Sequence, residues 1–382
     1  MDLSPDFLDS LRHRGDPIAD DVMLALDDKE EKRASTLFRA IVETDDPVPK
    51  GLPEPARLYF EETAALPPWA DPKLILAGER VFEQYGAELI LGLFCSALPQ
   101  CYANYRGVGV LTLTGRMQGR AVEARVMETA QFLCDIVGEG GLGPEGRGIR
   151  SAQKVRLMHA GVRELISGLP PGRYDPANGT PICQEDLAFT LMTFSVVLLD
   201  ALASLGVKVP SEDREAWVHL WRVAGHFIGV ADDANPRNYK EAQAFAAAYR
   251  RRNFGPGEDG RELTASLIRF LQSFAGKMLH TKVFKPFPAA FIRRMNGPEL
   301  AKMLGVKPEP TAEKLIDLEV KMVKLLDEFL PDRIGIPSLF GRWLDELVRG
   351  FAVLNRGGKA APFRIPQHVK GTRRVARRKT KR

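Results

Sequence analysis

The chain has 382 residues, of which 45% are hydrophobic and 27% are charged, and its formal net charge is +5. This composition is typical of a globular protein with a sizeable core, and it excludes a chain that is disordered throughout. Twelve of the 54 Lys and Arg residues follow Glu346 with no acidic residue among them, so the rest of the chain has 42 basic against 49 acidic residues. A basic nucleic-acid-binding surface over the whole protein is therefore not expected.

The N-terminal segment, MDLSPDFLDSLRHRGDPIADD, is acidic and polar. It lacks the positively charged start and the apolar run of a secretory signal. The longest apolar stretches, 87–98 and 187–205, contain the charged residues Glu88 and Asp200 and are interpreted as core helices rather than membrane spans. We therefore expect a cytoplasmic protein, in which Cys95, Cys101, Cys134 and Cys183 are reduced, buried thiols.

Helical spacing of apolar residues recurs along the chain, whereas strand alternation is scarce. The pattern predicts helices over 53–64, 73–97, 116–137, 148–167, 182–205, 211–230, 238–253, 259–278, 285–294, 311–330 and 336–354. The connector GEGGLGPEGRG separates two of them, and LPPGRYDPANGTP separates the next two. The latter ends in Thr180-Pro181, which predicts a helix N-cap followed by proline. The fold class is predicted to be all-α.

Three parts of the chain are predicted. Residues 1–70 form an N-terminal helical wrap, residues 71–354 form the main helical domain, and residues 355–382 form a basic tail. The tail has no aromatic residue except Phe363 that could stack on bases, so a solvated, disordered end is favoured. Docking of this tail to nucleic acid or to an anionic membrane is the alternative.

His159 shares one face of a predicted helix with Val155, Val162 and Ile166. An imidazole on an apolar face needs a partner for its polar nitrogens. One interpretation is a core histidine bonded to a carbonyl group, and the other is a ligand of a metal or of haem iron.

Arg125 and Thr129 lie four residues apart, so a guanidinium group and a hydroxyl group share a helix face that continues to Phe132. A buried arginine requires anionic or strongly polar company. A haem propionate, a carboxylate or bound oxygen would provide it, and an ion pair with Glu123 or Glu128 is the alternative.

Three further residues are of a type that can carry out chemistry. His226 is interpreted as a buried structural histidine, with a ligand role as the alternative. Glu185 and Asp186 are interpreted as favourable charges at a helix start, with a catalytic acidic pair as the alternative. No nucleophile-elbow motif or glycine-rich phosphate loop occurs in the sequence.

Five segments resemble one protein family: TGRMQGRAVEARVMETAQFLCDIV, GLGPEGRG, KVRLMHAGVR, GTPICQEDLAFTLMTFS and LWRVAGHFIGV. They resemble, in the same order, the haem-dependent oxygenases that include the latex-clearing proteins and the mycophenolic-acid biosynthetic oxygenase. The resemblance spans roughly residues 70–240 and implies a globin-like helical core that holds haem b.

The resemblance also implies roles for individual residues. His159 matches the proximal iron ligand, and Arg125 and Thr129 match the pair on the helix that faces the haem. The expected reaction is oxidative cleavage of a carbon–carbon double bond in a small apolar, isoprenoid- or lipid-like substrate by dioxygen. The electron donor and the oligomeric state stay open.

The sequence departs from the family pattern at one position of the site. Latex-clearing proteins can place a lysine directly before the motif threonine, and Glu128 occupies that position here. Glu123 and Glu128 are the candidates for the glutamate base of the family. Because latex-clearing proteins are secreted and no export signal is recognised here, a polymer outside the cell is not expected as the substrate.

Two other functions are compatible with the sequence. A non-catalytic haem protein that senses or stores gas would share His159 but would turn over no substrate. A helical binding protein without haem would act through its basic tail.

Overall fold

The computed structural model of the chain describes residues 1–27, 52, 54–113, 120–144, 146–279 and 285–329. Its α-helices, in chain order, are α1 (Pro5–Arg12), α2 (Pro17–Asp27), α3 (Glu54–Glu62), α4 (Pro72–Gly92), α5 (Leu98–Tyr102), α6 (Gly109–Leu113), α7 (Arg120–Val137), α8 (Arg147–Ser167), α9 (Gln184–Phe194), α10 (Val196–Ser204), α11 (Ser211–Ile228), α12 (Tyr239–Asn253), α13 (Glu258–Leu279), α14 (Phe287–Met303) and α15 (Pro310–Phe329). No strand forms within the described residues, where Asn104 and Phe254 make an isolated β-bridge.

The predicted all-α class is confirmed. The helices predicted over 148–167, 211–230 and 238–253 correspond to α8, α11 and α12 with ends that differ by only a few residues. The helix predicted over 336–354 and the tail 355–382 lie outside the described residues. The domain boundaries at residues 70 and 354 stay predictions.

The single helix predicted over 182–205 is wrong. Two helices, α9 and α10, meet at Ser195, whose φ of −97° and ψ of −102° are not helical. The buried Trp217 ring in α11 donates from Nε1 to the Ser195 carbonyl at 3.2 Å, which fixes the break against the core. The predicted N-cap is also wrong, because α9 begins after Cys183 and the Thr180 hydroxyl donates to the His13 carbonyl.

The helix predicted over 73–97 is interrupted as well. A π-helical turn, Leu93–Ala97, joins α4 to α5. Pro99 lies in the first turn of α5 and has no N–H to donate to the preceding turn. Asn296 of α14 donates from Nδ2 to the Cys95 carbonyl at 2.7 Å and so satisfies an acceptor within the wide turn.

The centre of the core is the close contact between α4 and α11. A Cβ atom at Gly78 would lie 2.8 Å from Leu220 Cβ, so only glycine allows these two helices to approach so closely. The fully buried Trp217 and Trp221 fill the space beside this contact, and the Phe194 ring stacks on Trp221 with ring centroids 4.9 Å apart. This core places α7, α8 and α9 around a common cavity.

Two stretches, Pro72–Tyr102 and Gln184–Ser204, are long and apolar enough to cross a membrane by length and composition alone. Of their most apolar windows, 56% and 78% of the residues are buried inside the fold. That burial agrees with their interpretation as core helices.

Two ion pairs, one buried and one partly exposed, join the N-terminal segment, residues 1–27, to α8. Asp16 accepts from Arg156 Nε and Nη2 at 2.6 and 2.7 Å, and Asp20 accepts from Arg163 Nε at 2.7 Å. The side chains of Arg156 and Asp16 are only 8% and 4% exposed. Each charge is therefore stable in the interior only with its partner.

We predict that Asp16→Asn lowers the free energy of unfolding by about 3 kcal/mol, because it leaves the buried Arg156 charge without a carboxylate. Urea unfolding followed by circular dichroism measures this loss. Arg14→Gln is the matched control, since Arg14 and Asp233 form a pair that is 39% and 51% exposed. That control should cost under about 1 kcal/mol. Equal losses in the two variants would contradict the structural role of the buried pair.

Candidate active site

A cavity of about 210 Å³ lies between the helices that carry the predicted site residues. Most of its wall is apolar. Among its lining residues are Leu93, Leu98, Tyr102, Val108, Val126, Phe132, Val155, Met158, Val162, Leu187, Phe189 and Phe194. Such a wall suits an apolar ligand, so the few polar groups that reach it determine its chemistry.

His159 lies on α8 and lines this cavity with Val155, Met158 and Val162, as the predicted helix face implies. Its Nδ1 atom is buried and has no hydrogen-bond partner within the described residues. The interpretation of a core histidine bonded to a carbonyl is therefore not supported. Burial of the ring lowers the pKa of His159 to about 3, with further contributions from the positive charges of Arg163 and Arg125. The imidazole is thus neutral at pH 7.

Arg125, Glu128 and Thr129 of α7 also line the cavity, so the structure brings together all four residues predicted for the site. The Arg125 guanidinium lies beside Met158, with Nη1 3.9 Å from Sδ. No ion pair joins Arg125 to a carboxylate in the part of the chain that the structure describes. The alternative of an ion pair with Glu123 or Glu128 is thus not found.

The Thr129 hydroxyl group donates to the Arg125 carbonyl at 2.8 Å. Its proton is therefore engaged by the helix backbone, and only its lone pairs remain for a ligand. Of the two glutamates considered as bases, Glu128 is buried and lines the cavity, whereas Glu123 is exposed to solvent.

His219 and His226 lie outside the cavity lining, on another part of α11. His219 accepts from the Asp71 N–H through Nε2 at 2.9 Å, and both rings contact the Trp69 ring edge-on. Arg222 lies over the same Trp69 ring at 3.7 Å. These contacts agree with the structural interpretation of His226.

Sequence reasoning missed a polar network at the N-terminal end of α9. The fully buried Glu185 accepts from Arg12 Nε at 2.8 Å, and Asp186 accepts from Arg12 Nη1 at 2.7 Å. The two acids do occupy the first turn of the helix, but buried ion pairs rather than the helix dipole alone stabilise them. Because Arg12 lies more than 170 residues away in sequence, no local spacing could reveal this network.

Within the described residues, no group of three or more His, Cys, Asp or Glu side chains could hold a bare metal ion. A single neutral imidazole beside an apolar cavity instead fits a metal whose other ligands come from a macrocycle, as in haem.

Three comparisons relate the chain to known proteins. Residues 86–325 match the family described as ER-bound oxygenase mpaB/B'/Rubber oxygenase, catalytic domain. A rubber oxygenase of Streptomyces sp. (strain K30) is 27% identical over 349 residues, which cover 89% of this chain and 82% of that protein. The structure of latex clearing protein LCP in the closed state superposes with a TM-score of 0.73 at 24% identity, covering 90% of this chain and 91% of that one. Since the family match extends over more than half of its length, this chain belongs to the mpaB and rubber oxygenase family.

Proposed function

We propose that this protein is a haem b-dependent oxygenase that cleaves a carbon–carbon double bond in an apolar, isoprenoid- or lipid-like substrate. The observation that carries the proposal is the His159 imidazole, which is neutral, lines the cavity and has no protein partner for its buried Nδ1. A rubber oxygenase among its relatives makes a polyisoprene-like chain the natural substrate class.

The residues present fit a haem. His159 offers a neutral imidazole as the iron ligand, and the apolar walls suit the faces of a porphyrin. Arg125 has no ion-pair partner among the described residues, so its positive charge is available to a propionate or another anion. Bound haem iron supplies the redox chemistry with dioxygen.

The remaining tasks fall to the side chains of the cavity. Burial of the ring, with smaller contributions from the charges of Arg163 and Arg125, lowers the pKa of His159 and keeps the ring unprotonated, so that its lone pair stays available to iron. Apolar residues such as Phe132 and Val162 exclude water and hold the substrate chain. Glu128 is our candidate for the general base that accepts a proton from the substrate, and its burial in the cavity wall supports this role.

The overall reaction balances without an external reductant. One dioxygen molecule supplies the two oxygen atoms of the two carbonyl groups that replace one carbon–carbon double bond. Incorporation of a single oxygen atom would instead require two electrons from a donor. The ratio of oxygen consumed to carbonyl groups formed therefore separates the two reactions.

We expect haem-supplied wild-type protein to show a Soret band that His159→Ala loses, because the variant removes the iron ligand. Absorption spectra of the purified proteins measure this. His226→Ala is the matched control and should keep the band, since His226 lies outside the cavity. A wild-type protein without the band, or an unchanged band in His159→Ala, would refute haem binding at this site.

We expect Glu128→Gln to lower the rate of oxygen uptake with an unsaturated prenyl chain by about a hundredfold, while the haem spectrum stays unchanged. An oxygen electrode together with carbonyl analysis measures the rate and the products. Glu123→Gln, at the exposed position on the same helix, should react at the wild-type rate. If wild-type protein takes up no oxygen with any such chain, the non-catalytic sensor function replaces the oxygenase.

The lowered pKa of His159 predicts a pH-dependent stability of the haem-free protein. Between the ordinary pKa of 6.5 and the folded value of about 3, the unfolded chain binds a proton that the folded chain does not. The free energy of unfolding should therefore fall as the pH is lowered below 6.5, by up to about 1.4 kcal/mol per pH unit from this group. Urea unfolding of wild type and His159→Phe at pH 7, 6, 5 and 4 should show a shallower dependence in the variant. His13→Gln, at an exposed position, should retain the full slope.

A further inference from the structure

One part of the cavity wall is polar, and it is built around the Asp186 carboxylate. Its Oδ1 atom accepts from Arg12 Nη1 at 2.7 Å, from the Tyr249 hydroxyl at 2.6 Å and from Asn104 Nδ2 at 3.2 Å. Asp186, Tyr249 and Asn104 all line the cavity. These three donors fix the orientation of the carboxylate.

The other oxygen of Asp186 is free to bind a ligand. In the described part of the chain, no residue donates a hydrogen bond to Oδ2. The side chain is 13% exposed and lines the cavity. A Cβ atom at Gly107 would lie only 2.7 Å from Oδ2, so the glycine keeps this oxygen uncovered. A carboxylate oxygen at an apolar cavity strongly favours a donor partner.

The charges around Asp186 determine whether the donor group of a ligand is cationic, anionic or neutral. Arg12 and Arg252 contact the two carboxylates of Glu185 and Asp186. Arg252 also pairs with Asp9, but Asp9 is 63% exposed and its charge is screened by solvent, so two cations face two carboxylates in the interior. A cationic ligand would add an unbalanced charge, and an anionic ligand would be repelled by Oδ2. A neutral hydroxyl group satisfies the oxygen without either cost.

We propose that the substrate carries a hydroxyl group, which donates to Asp186 Oδ2 while its unsaturated chain occupies the apolar part of the cavity. This assignment rests on the proposed oxygenase function and narrows its substrate class to prenol-like alcohols. Asp186 is then the residue that selects an alcohol over a hydrocarbon, an ether or a fatty acid.

The test compares the binding of farnesol with that of farnesyl methyl ether, which has the same chain but cannot donate. Isothermal titration calorimetry with the purified protein, carrying whatever haem it holds, should show farnesol binding about tenfold more tightly, as expected for one hydrogen bond to a charged acceptor. Asp186→Asn should abolish this preference. In this variant, the three donors hold the carbonyl oxygen of the new side-chain amide at the former Oδ1 position, so the amide NH₂ group faces the cavity in place of Oδ2.

Asp233→Asn is the matched control, because it makes the same substitution in an exposed ion pair with Arg14 that lies outside the cavity lining. It should keep the preference for farnesol. The comparison within the wild type decides the question even if Asp186→Asn fails to fold. Equal affinities for alcohol and ether, no binding of either, or a preference that persists in Asp186→Asn would overturn the assignment. Binding is independent of the Soret band, so failure here is distinct from failure of the haem proposal.

Discussion

The orientation of α8 depends on the buried ion pairs that join it to the N-terminal segment. Arg156 and Arg163 lie seven residues apart and pair with Asp16 and Asp20 along one strip of this helix. His159 lies on the neighbouring strip, which lines the cavity. A rotation of α8 that withdrew His159 would break both pairs. It would leave the buried Arg156 guanidinium without its carboxylate, at a cost of about 3–5 kcal/mol. The imidazole is thus held in place by ion pairs on the adjacent strip of its own helix.

Much of this arrangement could be predicted from sequence because it is local. The apolar period of 3.6 residues located α8, and it placed His159 on the face that lines the cavity. The same argument placed Arg125 and Thr129 together on α7. Features that depend on distant partners could not be predicted. The break at Ser195 is tied to Trp217, the π-helical turn after α4 is satisfied by Asn296, and the pairing of Glu185 and Asp186 requires Arg12. Hydrophobic periodicity contains no information about such tertiary hydrogen bonds.

The polar residues that line the cavity differ in their ability to carry a proton. A group with a pKa near 3 is a poor proton carrier at neutral pH, so His159 is unsuited to general acid–base catalysis there. The same low pKa makes its ring a good metal ligand, because no proton competes for the nitrogen. In the proposed reaction, proton transfer would fall to the carboxylates, and the two that line the cavity, Asp186 and Glu128, differ in their surroundings. Asp186 is anchored through three donors to one oxygen, whereas Glu128 lies beside Thr129 on the helix that faces His159.

The N-terminal segment connects these two parts of the cavity. Asp16 and Asp20 fix the helix that carries His159, and Arg12, only four residues earlier than Asp16, fixes Asp186. Residues 1–27 therefore bind both the wall that carries the candidate iron ligand and the wall that carries the candidate hydroxyl acceptor. In the proposed reaction, the distance between these walls would determine which bond of a bound chain lies next to the reactive centre. A change in the ion pairs of this segment would then alter the position of the proposed cleavage without altering any residue that touches the substrate.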